Sequence, residues 1–332
     1  MQIAKTYYFD DFRCIASACP DSCCKEWDVL VDGEAAAYYH SLTGPLGDRL
    51  RQVMQEEDGQ VFMAIEEGRC PMWRQDGLCR IQAELGEKAL CKTCREFPRL
   101  THDYGDFVER GLELSCPEAA RWILNAKSAP MVTEAVDGGE TPEYDMEAMD
   151  VLKATRETML KLLSEENNPV GETLALALLY GCQAQAELDG DEILPFEAVS
   201  AWETIEEMAK PGNPEEMVDF FLNLEILTPE WENVLHNAEP SGWDSRTLAL
   251  ARYLVERYWL QAVSDYDLYS RVKFMVIACL LVKHLGGDML RTAQLFSKEI
   301  ENSADNVEAL LEGAYSHPAF TDDKLLGMLL AD

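Results

Sequence analysis

Nine of the chain's eleven cysteines fall before residue 117: Cys14, Cys19, Cys23, Cys24, Cys70, Cys79, Cys91, Cys94 and Cys116. Only Cys182 and Cys279 stand beyond. Thiolates bind zinc and iron–sulfur clusters, and either centre takes four of them. In a reducing compartment such clustering signals metal rather than disulfides. Cys91 and Cys94 are separated by two residues, so one tight turn brings both sulfurs to the same side. Further ligands must come from distant stretches: Cys14-x4-Cys19-x3-Cys23-Cys24, Cys70-Pro71, Cys79-Arg80-Ile81 and Ser115-Cys116-Pro117. The region holds two histidines, His40 and His102, so mixed Cys/His fingers are not indicated. Nine thiols exceed one centre. Either two metal sites exist, or one site uses four thiols and the rest are structural or reactive. Cys23 and Cys24 suit a single metal poorly because neighbouring side chains diverge, so one of the two is assigned to the centre. Cys182 and Cys279 lie on apolar helical faces and read as small buried hydrophobes.

The elements that must position these thiols are short. Residues 7–13 and 27–31 read as brief extended pieces, 33–42 and 45–55 as helices, and 61–66 as extended. A short helix over 82–90 leads into Cys91. Residues 107–114 alternate as a strand, and Pro117 suits the first turn of a helix over 119–126. The polar, Gly- and Pro-bearing stretch 127–150 reads as a linker or surface loop. Beyond it helical periodicity dominates. Asn213-Pro214-Glu215-Glu216 carries helix-start signals, and Leu268, Val272, Met275, Val276, Cys279 and Val282 recur on one helical face. The fold class is therefore α+β: a small loop-rich, cysteine-ligated domain over 1–126, then a mainly α-helical domain of about eight helices over 151–332.

Charge narrows the partners. The formal charge is −33, of which residues 1–125 carry −8 and residues 126–332 carry −25. Such a chain repels nucleic acid and suits a cationic partner such as a lysine-bearing protein; the same carboxylates also keep helix surfaces solvated. The longest apolar run, 274–282, is too short to cross a bilayer, and the first residues show no secretory leader. A cytoplasmic protein without membrane association is expected. No Gly-rich dinucleotide fingerprint, phosphate-binding loop, zinc-protease helix or serine elbow is present.

At these residues the sequence resembles the flagellin lysine-N-methylase family, whose N-terminal part belongs to the CxxCxxCC group of zinc- or iron-chelating domains. The resemblance rests on Phe12-Arg13-Cys14, Cys19-x3-Cys23-Cys24 with Trp27 behind, Cys70-Pro71, Cys79-Arg80-Ile81, Cys94-Arg95-Glu96-Phe97-Pro98-Arg99 and Leu114-Ser115-Cys116-Pro117. The later stretch 251–258 carries it less specifically. The resemblance implies a cysteine-bound 4Fe-4S cluster, with zinc as the alternative metal. It also implies methyl transfer from S-adenosylmethionine to lysine ε-amines, with flagellin as the family's protein substrate.

Such chemistry has its own demands. A lysine amine is protonated up to a pKa of about 10.4, so the enzyme must desolvate it or supply a base, for which Tyr, Asp or Glu in a closed pocket would serve. Aromatic walls attract sulfonium and methylammonium groups. Tyr7, Tyr8, Trp27, Tyr253, Tyr258 and Trp259 are candidates, each equally suited to a core. Arg95 and Arg99 suit a carboxylate of the cofactor, or salt bridges that anchor the loop around Cys91 and Cys94. An open iron of the cluster would offer another anchor for the cofactor's amino and carboxyl groups. The cofactor-binding candidates are thus Arg95, Arg99, Trp27 and Tyr253. Two other readings compete: a non-catalytic zinc or iron–sulfur carrier, and an S-adenosylmethionine enzyme acting on another substrate. A methylase needs a pocket between the cysteine segment and the helices, which a carrier does not.

Overall fold

Prolines and capping side chains set many of the element boundaries. The computed structural model describes residues 1–25, 29–57, 59–165 and 168–331. In chain order the first part comprises β1 (Gln2–Lys5), β2 (Val29–Val31), α1 (Gly33–Ser41), α2 (Gly44–Val53), β3 (Met54–Glu57), β4 (Gln60–Met63), α3 (Arg80–Leu85), α4 (Lys92–Glu96), β5 (Arg99–Asp103), β6 (Phe107–Leu112), α5 (Pro117–Leu124) and β7 (Val132–Ala135). Then come α6 (Met146–Leu162), α7 (Val170–Leu188), α8 (Ala198–Met208), α9 (Pro214–Leu222), α10 (Pro229–His236), α11 (Thr247–Tyr258), α12 (Leu268–Leu285), α13 (Met289–Phe296), α14 (Ala304–Ser316) and α15 (Asp322–Leu330). The chain is 56% helical and 11% strand, an α+β fold with a helical majority.

Local chemistry explains the starts. Asp32, Asp145, Asn213 and Ser303 accept backbone N–H bonds as N-caps, and Pro45, Pro117, Pro214 and Pro229 occupy first turns, where their missing N–H costs nothing. Residues 7–13 differ from expectation. They form turns, with the amides of Asp11 and Phe12 donating to the Tyr8 carbonyl, because Tyr8, Phe9 and Phe12 all drop into the helical core. The strand lies earlier, at β1.

One sheet runs in the order β5-β6-β1-β7 and is mixed: β1 is parallel to β6 and antiparallel to β7. The other, β2-β4-β3, is antiparallel. The parallel β1–β6 pairing needs a long crossover, and that crossover holds the second sheet and most of the cysteines. It has its own core, in which Val29, Tyr39, Leu50, Met63, Met72 and Ile81 surround Cys70 and Cys91. Tyr39 is fully buried and donates its hydroxyl to the Ala89 carbonyl at 2.7 Å.

The larger core gathers the helices around α12, which is buried on every side. The face predicted from its periodicity is buried, and so are Phe274, Ile277, Leu280 and Leu281 around the rest of the helix. Helix α7 approaches it at Gly181, where an added Cβ would meet Val272 at 2.4 Å. Cys279 lies in this core, whereas Cys182 is exposed, correcting its reading as a buried hydrophobe. No helix among the described residues is long and apolar enough to cross a membrane.

Candidate metal centre and adjoining cavity

Three of the nine thiols sit where helices begin: Cys79, Cys91 and Cys116 are the N-cap residues of α3, α4 and α5. Backbone N–H groups of the following turn favour their thiolates: Ile81 and Gln82 for Cys79, Cys94 for Cys91, and Glu118 and Ala119 for Cys116. Amides directed at sulfur suit an anionic ligand. Burial works the other way. It pushes Cys70 up to about 12 and Cys116 up to about 11, so both stay protonated until a cation compensates.

The thiols fall into two neighbourhoods. Cys70 feels Cys24, Cys79 and Cys91, and Cys94 feels Cys91 and Cys24. Cys19 and Cys116 feel Cys14, and Cys23 feels Cys14 and Cys116. The adjacent Cys23 and Cys24 join the two, sharing a hydrogen bond that lowers Cys24 to about 7 and raises Cys23. Cys91 and Cys94 form a second such pair, with Cys91 lowered to about 7 by the Cys94 thiol and Cys94 raised. Each pair gives up one proton readily and holds the second. Thiols of this kind are the donors that soft metals favour, but no three His, Cys, Asp or Glu side chains among the described residues stand in coordinating geometry.

An ionic clamp ties this lobe to the helices. Asp21, between Cys19 and Cys23, is buried and reaches Lys25 at 2.6 Å, Arg291 at 3.2 Å and Lys298 at 3.3 Å. Burial alone would raise its pKa, but Lys25, Lys298 and the Ser22 amide outweigh it and hold the carboxyl well below the usual range. Gln294 on α13 adds a bond to the Ser115 carbonyl, beside Cys116.

Helix α5 leads from Cys116 to a cavity of about 630 Å³ lined by Ile123 near its other end. Seven residues of helix rise about 10 Å. The sheet side of the cavity is one cross-strand row, Thr133–Ala4–Glu109, which places three side chains on one face. His102 on β5 extends that row opposite Glu109. Helix α6 contributes Lys153, Arg156, Glu157, Leu160 and Lys161, and α11 contributes Ala249, Arg252, Tyr253 and Glu256. Both sets have the three-and-four spacing of a single helical face. Tyr7 and Tyr8 line the same space.

Electrostatically the cavity is mixed. Glu109 and Arg156 pair through two bonds, at 2.6 and 2.8 Å, and Glu157 pairs with Lys161 at 2.7 Å. Arg252 donates to the carbonyls of Leu163 and Ala126. The Glu256 carboxyl has no hydrogen-bond partner among the described residues. Burial raises its pKa to about 7, against the pull of Arg156 and Arg252 and with a push from Glu109.

The cofactor-binding candidates do not converge. Tyr253 lines the cavity, where its hydroxyl accepts from Arg257 at 2.7 Å and donates to Glu301 at 3.1 Å. Arg99 lies over the Phe12 ring at 5.4 Å, and Arg95 is exposed on α4. Neither arginine makes an ion pair with a described residue. Trp27 lies outside the described residues. Sequence reasoning missed Glu109, Arg156, Arg252 and Glu256. The available signal was the charge at 252 and 256, one turn apart in the run 248–258, whose other residues save Arg257 are apolar or aromatic.

The fold and site define a mainly helical α+β protein with a thiol-rich lobe joined by one short helix to an open cavity. No family model matches the chain, and no solved structure matches it. A stretch of 142 residues, 40% of the chain, is 32% identical to the flagellar biosynthetic protein FliU of Salmonella muenchen and covers 82% of it. The chain is also 32% identical over 142 residues to a lysine-N-methylase of Salmonella choleraesuis, and 35% identical over 133 residues to that of Salmonella typhimurium. Those matches span about a third of each relative's length, 35% and 32%. The chain belongs to the flagellin lysine-N-methylase family.

Proposed function

We propose that the protein is a cytoplasmic protein-lysine N-methyltransferase that uses S-adenosylmethionine and acts on a lysine-bearing protein such as flagellin. The cavity between the sheet and helices α6 and α11 carries this reading, in a chain whose relatives are named lysine-N-methylases. Its volume lies within the range of small-molecule sites.

The methyl donor supplies an electrophilic carbon on a sulfonium, and the chain must bring a neutral amine to it. Tyr7 and Tyr8 line the cavity, and aromatic rings there would attract sulfonium and methylammonium cations. Lys127, Lys153 and Arg252 on its wall suit a carboxylate of the donor. The Glu109–Arg156 fork holds the sheet against α6, so that this wall is rigid when a ligand arrives. Cysteines of the two neighbourhoods, with Cys91 and Cys94 as the best-matched pair, would hold a 4Fe-4S cluster or, as the alternative, zinc. When bound, such a centre with an open position supplies a Lewis-acid anchor. The surplus of thiols also suits a metal carrier, but the cavity has no place in that reading.

Calorimetry of anaerobically purified protein with S-adenosylmethionine tests the proposal. Binding near one equivalent is expected, and weaker binding to Cys94→Ser would place the metal centre beside the donor. Failure of the wild-type protein to bind removes the methyltransferase reading.

A further inference from the structure

The larger cavity adjoins a second one of about 30 Å³, roughly the share of one water in the liquid. The two share Tyr8, Glu109, Tyr253 and Glu256 as lining. Here the buried Nε2 of His102 and Nε of Arg110 have no hydrogen-bond partner among the described residues. Buried polar atoms left this way are rare, and together they call for a polar occupant. Glu256 stands at the junction, its carboxyl without a hydrogen bond among the described residues, on the α11 face that lines the large cavity.

Among the described carboxylates that line the cavity, Glu109, Glu157 and Glu256, only Glu256 has neither an ion pair nor a hydrogen bond. Glu109 is engaged by both terminal nitrogens of Arg156, and Glu157 by Lys161. From its own helix Arg252 faces the cavity and Arg257 is held by Glu301 at 3.2 Å. Tyr8 stands after β1, its phenol kept protonated by burial, and His102 on β5 is kept neutral by burial. Lys127 and Lys153 line the larger space further out.

We propose that the part of the large cavity beside Glu256 is the acceptor-lysine site, and that Glu256 pairs with the incoming ammonium and then takes its proton. The proposal rests on the methyltransferase reading and assigns it a residue. The N–H bond to the ammonium breaks and its proton passes to a Glu256 oxygen. The amine lone pair then forms a bond to the methyl carbon of the sulfonium donor as the carbon–sulfur bond breaks, its electron pair remaining on sulfur as a neutral thioether. Charge is conserved: one ammonium and one sulfonium are lost, one carboxylate is neutralised, and one methylammonium is formed. Because burial sets the Glu256 carboxyl at about 7, it accepts a proton more readily than an ordinary glutamate does.

The test uses the full chain and three probes: N-acetyl-lysine methylamide, the norleucine analogue that lacks the amine, and hexanoate. At pH 8 the lysine probe should bind at least tenfold tighter than the norleucine probe, and Glu256→Gln should abolish that preference. In the wild type, calorimetry in two buffers of different ionisation enthalpy should show proton release on binding at pH 6 and little at pH 8.5, a readout that needs no variant. Methyl transfer by Glu256→Gln should fall at least 100-fold at pH 7, with donor binding unchanged. An unchanged preference in Glu256→Gln, or binding of hexanoate but not the lysine probe, would overturn the assignment. A Glu256-dependent preference without any methyl transfer would support the amine site while removing the methyltransferase reading. Transfer at the wild-type rate by Glu256→Gln would do the reverse.

Discussion

Glu109 on β6 and Arg156 on α6 meet in a fork of two hydrogen bonds, Oε1 to Nη2 at 2.6 Å and Oε2 to Nη1 at 2.8 Å, in the wall of the large cavity. Glu109 is 5% exposed. Breaking such a pair from one side strands a buried charge, which costs far more than the pair itself contributes. Arg156→Met should therefore destabilise the protein by about 3–5 kcal/mol, and the double variant Glu109→Leu/Arg156→Met should recover most of that loss. Denaturant melts of the wild type, both single variants and the double variant check this.

Asp21 makes an equally specific prediction for the cysteine lobe. Its folded pKa is depressed, so its contribution is present above the unfolded value, 3.8, and is lost as pH falls below it. Asp21→Asn should cost about 3–5 kcal/mol at pH 7, and the loss should shrink toward pH 3. Limited proteolysis of the variant should open first near residues 14–24, because the clamp to Arg291 and Lys298 is gone.

Glu256 has the opposite sign. Its folded pKa, about 7, lies above the ordinary 4.5, so the unfolded chain ionises first and stability falls as pH rises between those values. Glu256→Gln should escape that loss. Its stability should exceed the wild type's by a margin that grows from pH 4.5 to pH 7, reaching on the order of 2 kcal/mol. Thermal melts across that window check it, and a margin independent of pH would count against the burial of this carboxyl.

The thiols divide in a way that elemental analysis can read. Cys91→Ser and Cys94→Ser should each lower metal content after anaerobic purification, while Cys182→Ser should leave it unchanged. Iron with equimolar acid-labile sulfide is expected, and stoichiometric zinc without sulfide would replace the cluster by the alternative metal.

How much of this was legible in the sequence depends on the range of the interaction. Pro117 behind Cys116 and Asn213 before Pro214 announce helix starts through local chemistry, and the structure begins α5 and α9 there. The apolar period of 268–282 likewise announces the buried face of α12. Residues 7–13 misled because an aromatic run with polar neighbours suits an extended segment as well as a turn anchored in a core. The cavity was hidden for a different reason. Tyr8, Glu109, Arg156 and Glu256 come from four separated stretches, and the parallel pairing of β1 with β6 helps bring them together. Glu256 is unusual through the burial that raises its pKa, which the identity of its sequence neighbours does not disclose.

The most direct test of the account is mass spectrometry of a lysine-bearing protein substrate, flagellin first, after incubation with anaerobically purified protein and S-adenosylmethionine carrying a trideuterated methyl group. Deuterated methyl groups on lysine ε-amines are expected, formed by the wild type and lost at pH 7 in Glu256→Gln. Folded, metal-loaded protein that binds the donor yet leaves every lysine unlabelled would contradict it.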